Sequence, residues 1–133
     1  MNSDIRWKQR FTNFENALKV LERTANIQEQ GEIERAALIQ FFEMSFELAW
    51  KTLKNYLESK EFRVKSPRET ILTAVQIQVI SVENWLEALD DRNLSSHVYD
   101  DEEMKVIAEN IREKYLPMMI SLQQFLNERL KDE

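Results

Sequence analysis

A chain of 133 residues with one glycine, two prolines and no cysteine has few residues suited to turning tightly. Hairpins, bulges and close backbone approaches draw on Gly and Pro, so their shortage disfavours β architectures and makes an all-α fold the expectation. The lack of cysteine also excludes disulfides, thiolate metal sites and a cysteine nucleophile. With His97 as the sole histidine, structural zinc is excluded too, and neither a metal nor a cofactor is expected. Apolar runs are short, mean hydropathy is −0.54, and Met1, Asn2, Ser3 and Asp4 lack the layout of a signal peptide. The expectation is a cytoplasmic protein without a membrane segment, folded as a single domain over residues 1–133.

Apolar periodicity divides the chain into helices. Trp7, Phe11, Phe14, Leu18 and Leu21 step by four and three along one stripe, which predicts a first helix from about Asp4 to Ile27. Gly31 follows, placed to supply a left-handed helix terminus. The second helix carries one stripe through Ala37, Phe41, Met44 and Leu48 and another through Phe42, Phe46, Ala49, Leu53 and Tyr56. Two stripes call for two packing partners: the chain's own bundle on one side, and a third helix or a second protomer on the other. Ser66, Pro67 and Glu69 read as a capping box that starts a third helix. A fourth starts near Val82 with Ser81 or Asn84 as cap. Asp100 to Glu103 suit the positive end of a fifth helix dipole, ahead of Met104, Ile107, Ala108, Ile111, Tyr115, Met118, Leu122 and Phe125 at helical spacing. Pro117 inside that pattern predicts a kink. The architecture expected is an up-and-down four-helix bundle with an additional short helix.

Charge is spread unevenly. Residues 1–66 carry 11 basic and 10 acidic side chains, residues 67–133 carry 7 and 14, and the whole chain has a net charge of −6. Between Glu83 and Glu103 Arg92 is the one base among eight acids, a field that repels a phosphate chain unless the acids point elsewhere. Basic residues between Lys51 and Arg68 offer a counterweight if the fold brings them close.

The polar segment from Asp90 to Tyr99 is the part of the chain suited to chemistry. Arg92 and His97 lie about 140° apart at ~100° per residue, so a regular helix cannot present both on one face, and a helix end between them can. An imidazole serves as general acid or base, a guanidinium clamps a phosphate, and Tyr99 adds a hydroxyl. The plainer alternative is structural: Arg92 pairs with Asp90, Asp91 or Glu87, and His97 sits near a helix end without a catalytic role.

Several stretches resemble a known family: Phe46, Glu47, Leu48, Ala49, Trp50, Lys51, Thr52, Leu53 and Lys54; Ser66, Pro67, Arg68 and Glu69; Trp85 and Leu86; Asp91, Arg92 and Asn93; and Ser96, His97, Val98 and Tyr99. Together they resemble the nucleotidyltransferase substrate-binding protein family of the HEPN superfamily, over nearly the whole chain. That resemblance implies a helical bundle that forms a homodimer and works with a small, separate minimal nucleotidyltransferase. It also implies a motif of Arg92, the polar Asn93 and His97, extended to Tyr99. In toxin members of the superfamily such an Arg and His form a metal-independent endoribonuclease centre, and the partner adenylylates the Tyr. Carried over, Arg92 would stabilise phosphate, His97 would position the 2′-hydroxyl, Asn93 would support the geometry and Tyr99 would be modified.

Three functions follow as competing expectations. The first is a partner or substrate-binding subunit of a nucleotidyltransferase in a toxin-antitoxin-like pair, binding RNA or a nucleotide. The second is an endoribonuclease toxin that uses Arg92 and His97 and is silenced at Tyr99. The third is a purely structural adaptor.

Overall fold

The computed structural model describes residues 3–28, 30–95 and 100–132, and every regular element among them is helical. The helices are α1 (Ser3–Ala25), α2 (Glu32–Ser59), α3 (Pro67–Gln76), α4 (Trp85–Ser95), α5 (Asp101–Asn110) and α6 (Leu116–Lys131). A π-helical turn, Ile111–Tyr115, joins α5 to α6 without a break. Among the described residues no helix is long and apolar enough to cross a membrane.

The first stripe folds as its spacing predicts: Trp7, Phe11, Phe14, Leu18 and Leu21 are all buried against α2. On α2, the stripe of Phe42, Phe46, Ala49, Leu53 and Tyr56 is buried, whereas Ala37, Phe41 and Leu48 are half-buried and Met44 is 50% exposed. The second stripe therefore forms a surface band. Because α2 touches α1, α3, α4 and α5, it is the axis of the bundle. Aromatic contacts run along it: Trp7 meets Tyr56 edge-on at 5.2 Å, and Phe42 stacks on Tyr115 at 5.3 Å. Each fully buried ring or branched side chain contributes about 1.5–3 kcal/mol relative to exposure, so the bundle is held chiefly by this core.

Several boundaries differ from the sequence-based expectation. Helix α1 ends at Ala25, two residues before Ile27. Gly31 is not left-handed: with φ −89° and ψ −168° it is the N-cap of α2, where its N–H donates to Glu34 Oε1 at 2.9 Å. A Cβ at this position would stand 3.0 Å from that oxygen, the mobile tip of a side chain, so neither handedness nor an unavoidable clash demands glycine here. Among the described residues the left-handed positions are Glu61, Gln78 and Asn84, with φ of 71°, 63° and 71°. Glu61 and Gln78 lie at helix ends closed by local backbone bonds between residues five apart, Phe62 N–H to Leu57 O at 3.0 Å and Val79 N–H to Ala74 O at 2.9 Å. That closure compensates for the conformational cost of a side chain there.

Ser66 Oγ accepts the Glu69 N–H at 3.1 Å, but the Glu69 carboxylate returns to the Lys65 N–H at 3.3 Å rather than to Ser66. Helix α4 begins at Trp85 and not near Val82, its first bond running from Ala88 N–H to the Asn84 carbonyl at 2.8 Å. Asp100 caps α5 by accepting the Glu102 N–H at 2.8 Å, so the acidic run does serve a helix start.

The distortion expected at Pro117 takes the form of the π turn immediately before it. Leu116 N–H reaches back five residues to the Ile111 carbonyl, which accommodates a proline that can donate no helical bond. The wider turn shifts the phase of α6. Its buried residues are Met119, Leu122 and Leu126, whereas an unbroken helical period selected Met118, Leu122 and Phe125.

Candidate functional site

Helix α4 is placed by its apolar face. Trp85, Ala88 and Leu89 are buried, and the Trp85 ring lies 5.9 Å from Phe46 of α2. Three consecutive polar side chains then reach in three directions, because successive helical residues point about 100° apart. Asp90 reaches Arg68 of α3 at 3.6 Å. Asp91 accepts the Tyr115 hydroxyl and, at 3.3 Å, the Asn110 side-chain amide. Arg92 reaches across to Glu47 of α2.

The expected pairing of Arg92 with its sequence neighbours is thus overturned in favour of a partner 45 residues away. The local acids are engaged elsewhere: Asp90 and Asp91 as above, and Glu87 with Lys114 at 3.0 Å and the Tyr115 hydroxyl at 3.2 Å. Tyr115 is fully buried. Burial, followed by the Asp91 carboxylate, pushes its phenol far above the usual range, so the hydroxyl stays a donor.

Around Arg92 the donors converge on one carboxylate. Glu47 receives the Arg92 guanidinium, Lys51 Nζ at 3.1 Å and Trp50 Nε1–H at 3.1 Å. Burial works to raise the Glu47 pKa, but the hydrogen bonds from Trp50 and Lys51 and the charges of Arg92 and Lys51 outweigh it and hold the carboxyl below its usual value. Asn93 Oδ1 accepts from Arg92 Nη1 at 3.2 Å and steadies the fork. Glu43, Met44, Glu47, Arg92 and Asn93 line an open hollow of about 430 Å³. The Arg92 and Glu47 side chains are 32% and 31% exposed, so the pair is reachable from solvent.

Of the four residues singled out from the sequence, Arg92 and Asn93 meet at this hollow, while His97 and Tyr99 lie outside the described residues. Sequence reasoning had not assigned Glu47 a pairing role with Arg92, although it stands on the polar edge of the Met44 and Leu48 band with Lys51 one turn on. Within the chain, Lys51 and Arg92 meet the same carboxylate. Among the described residues, no group of three or more acidic or histidine side chains is arranged to hold a metal ion.

The sequence matches a family model described as nucleotidyltransferase substrate binding protein like over residues 9–128. A protein from Thermus thermophilus, known by its crystal structure, shares 31% identity and superposes with a TM-score of 0.74, the match covering 88% of this chain and 98% of that one. No curated protein matches the sequence at a significant level.

Proposed function

The chain belongs to the nucleotidyltransferase substrate binding protein like family, and from that premise we propose that it is the binding subunit of a two-component system whose other member is a small, separate nucleotidyltransferase. In this reading it is a HEPN-type domain spanning residues 1–133, cytoplasmic, and paired with its enzyme in a toxin-antitoxin-like arrangement. The observation that carries it is the open hollow at Arg92, where a partly exposed guanidinium paired with Glu47 stands between two helices in a space large enough for a phosphate-bearing group. Arg92 holds the phosphate and Asn93 orients the guanidinium, while His97 and Tyr99 complete the motif. The half-buried band of Phe41, Met44 and Leu48 beside the hollow suits a homodimer contact that would place two such sites together.

The test has two parts. The first is co-purification of the full chain with the product of a neighbouring reading frame that carries a nucleotidyltransferase signature, with size measured in solution. Stable co-elution, and a dimer in its absence, support the proposal; a monomer that ignores the enzyme overturns it. The second is induced expression of wild type and His97→Ala without the enzyme, with growth and RNA integrity followed. Normal growth with intact RNA agrees with a binding subunit. Arrest and RNA cleavage confined to wild type would replace it with a metal-independent endoribonuclease that uses Arg92 and His97 and is silenced by adenylylation of Tyr99.

A further inference from the structure

Beyond Leu89 no described side chain of α4 is buried: Asp90, Asn93 and Leu94 are exposed, and Asp91 and Arg92 are half-buried. The hydrophobic anchor therefore ends before Arg92 is reached, and polar contacts decide where the guanidinium stands. The Asp90 pair with Arg68 is long and exposed and fixes little. Asp91 is different, because its partners lead into the packed interior. Its Oδ2 accepts the hydroxyl of Tyr115, a fully buried ring, and the side-chain amide of Asn110 at 3.3 Å. The Tyr115 ring in turn stacks on Phe42 of α2 at 5.3 Å. Phe42, Tyr115 and Asp91 thus form a wedge between α2, which carries Glu47, and the end of α4, which carries Arg92.

The π turn brings the two donors together. Residues five apart on an α-helix point about 140° from one another at ~100° per residue, so Asn110 and Tyr115 would diverge. The wider winding, closed by Leu116 N–H on the Ile111 carbonyl, returns the fifth residue to the same side, and both side chains reach one carboxylate oxygen. We propose that Tyr115 and Asn110 are positioning residues for the Arg92 site: converging through the π turn on Asp91, they set where α4 presents its guanidinium against α2. This rests on the reading above that the Arg92 hollow is a ligand site, and it adds the part of the fold that aims it. A phenol carries one proton and serves one carboxylate at a time. Glu87, the other carboxylate within reach of that hydroxyl, has Lys114 at 3.0 Å as its own partner, so Asp91 is the one that depends on Tyr115.

The test uses the full chain at a temperature where far-ultraviolet circular dichroism shows each variant folded. One readout is the initial rate at which phenylglyoxal modifies Arg92, mapped by mass spectrometry against the exposed Arg23 of α1 as internal reference; the other is the Kd of ATP by calorimetry. Tyr115→Phe is expected to speed Arg92 modification and to weaken ATP binding, each by about fivefold, the factor that corresponds to one net hydrogen bond of ~1 kcal/mol. Asp91→Ala should match it, and the double variant should be no worse than either single one, because both act along one path. Asp91→Asn keeps an acceptor oxygen for the phenol and should restore most of both readouts, whereas Glu87→Gln should change neither. Unchanged Arg92 reactivity in Tyr115→Phe and Asp91→Ala overturns the inference whether or not ATP binds, and so do additive effects in the double variant. Raised reactivity with no ATP binding to wild type upholds the positioning and overturns the hollow as a nucleotide site. Should Tyr115→Phe fail to fold, Asn110→Ala must give a smaller rise in reactivity, and no rise overturns the inference.

Discussion

The α1–α2 pair and the tail of α4 are held by different physics. The first is a seam of buried rings and leucines in which polar contacts are incidental, so its stability scales with apolar area and tolerates changes of charge. The second is anchored by Trp85, Ala88 and Leu89, and its far end is aimed by three polar side chains in a row. Such contacts contribute little net energy and much direction.

The sharpest way to break the comparison is at the core. Phe42→Ala removes a ring that stacks on Tyr115 and contacts Phe46, and is expected to cost about 3–5 kcal/mol in urea unfolding. Tyr115→Phe keeps the ring but deprives Asp91 and Glu87 of a shared donor, with an expected cost of about 1–3 kcal/mol in the same measurement. A cost below 0.5 kcal/mol, on the order of a neutral surface change, would show that α4 needs no polar brace.

A pH scan sharpens the contrast further. The Glu47 pKa is lowered on folding, so its contribution is fully present above the ordinary glutamate value and is lost as pH falls through the folded value. The loss is expected to be about 1 kcal/mol or less for a partly exposed pair, absent in Glu47→Gln, and visible as a flatter stability profile below the unperturbed value of 4.5. The smallest effect is expected at Arg68→Ala. Its pair with Asp90 is long and exposed, so unfolding should move by less than about 0.5 kcal/mol.

Much of this was legible in the sequence because period and punctuation agreed. The scarcity of Gly and Pro and the stripe from Trp7 to Leu21 left helices as the consistent reading, and Ser66 with Pro67 marked a true start. Less legible were the places where one residue type suits two geometries. Gly31 fits both a left-handed end and an N-cap, and its composition alone does not choose between them; in the fold its extended backbone starts α2. Glu61 and Gln78 adopt left-handed backbone with no compositional warning, because helix-closing bonds hold them there. In the candidate site, Arg92 and Asn93 were visible as a motif. Glu47 was not visible as a partner, since a pairing across 45 residues leaves no local pattern.

The π turn has a consequence for how the gene can vary. In an uninterrupted α-helix continued from Ile107 and Ile111, Met119 and Leu126 would be rotated roughly 60–80° from the line of Ile111 at ~100° per residue, while Leu122, common to both periods, would stay inward. The turn absorbs one residue more than an α-helix needs, and so behaves as a tolerated insertion. Removing the exposed Glu113 is therefore expected to restore regular winding with the same side chains inward, a far-ultraviolet spectrum close to that of the parent, and a lower melting temperature, because Pro117 then crowds the preceding turn of a regular helix. Adding a residue at the same place should double the mismatch and loosen α6. Relatives that differ in length by one residue between Asn110 and Leu116 would then share one core, and the gap in their alignment would mark a change of helical winding rather than a lost loop.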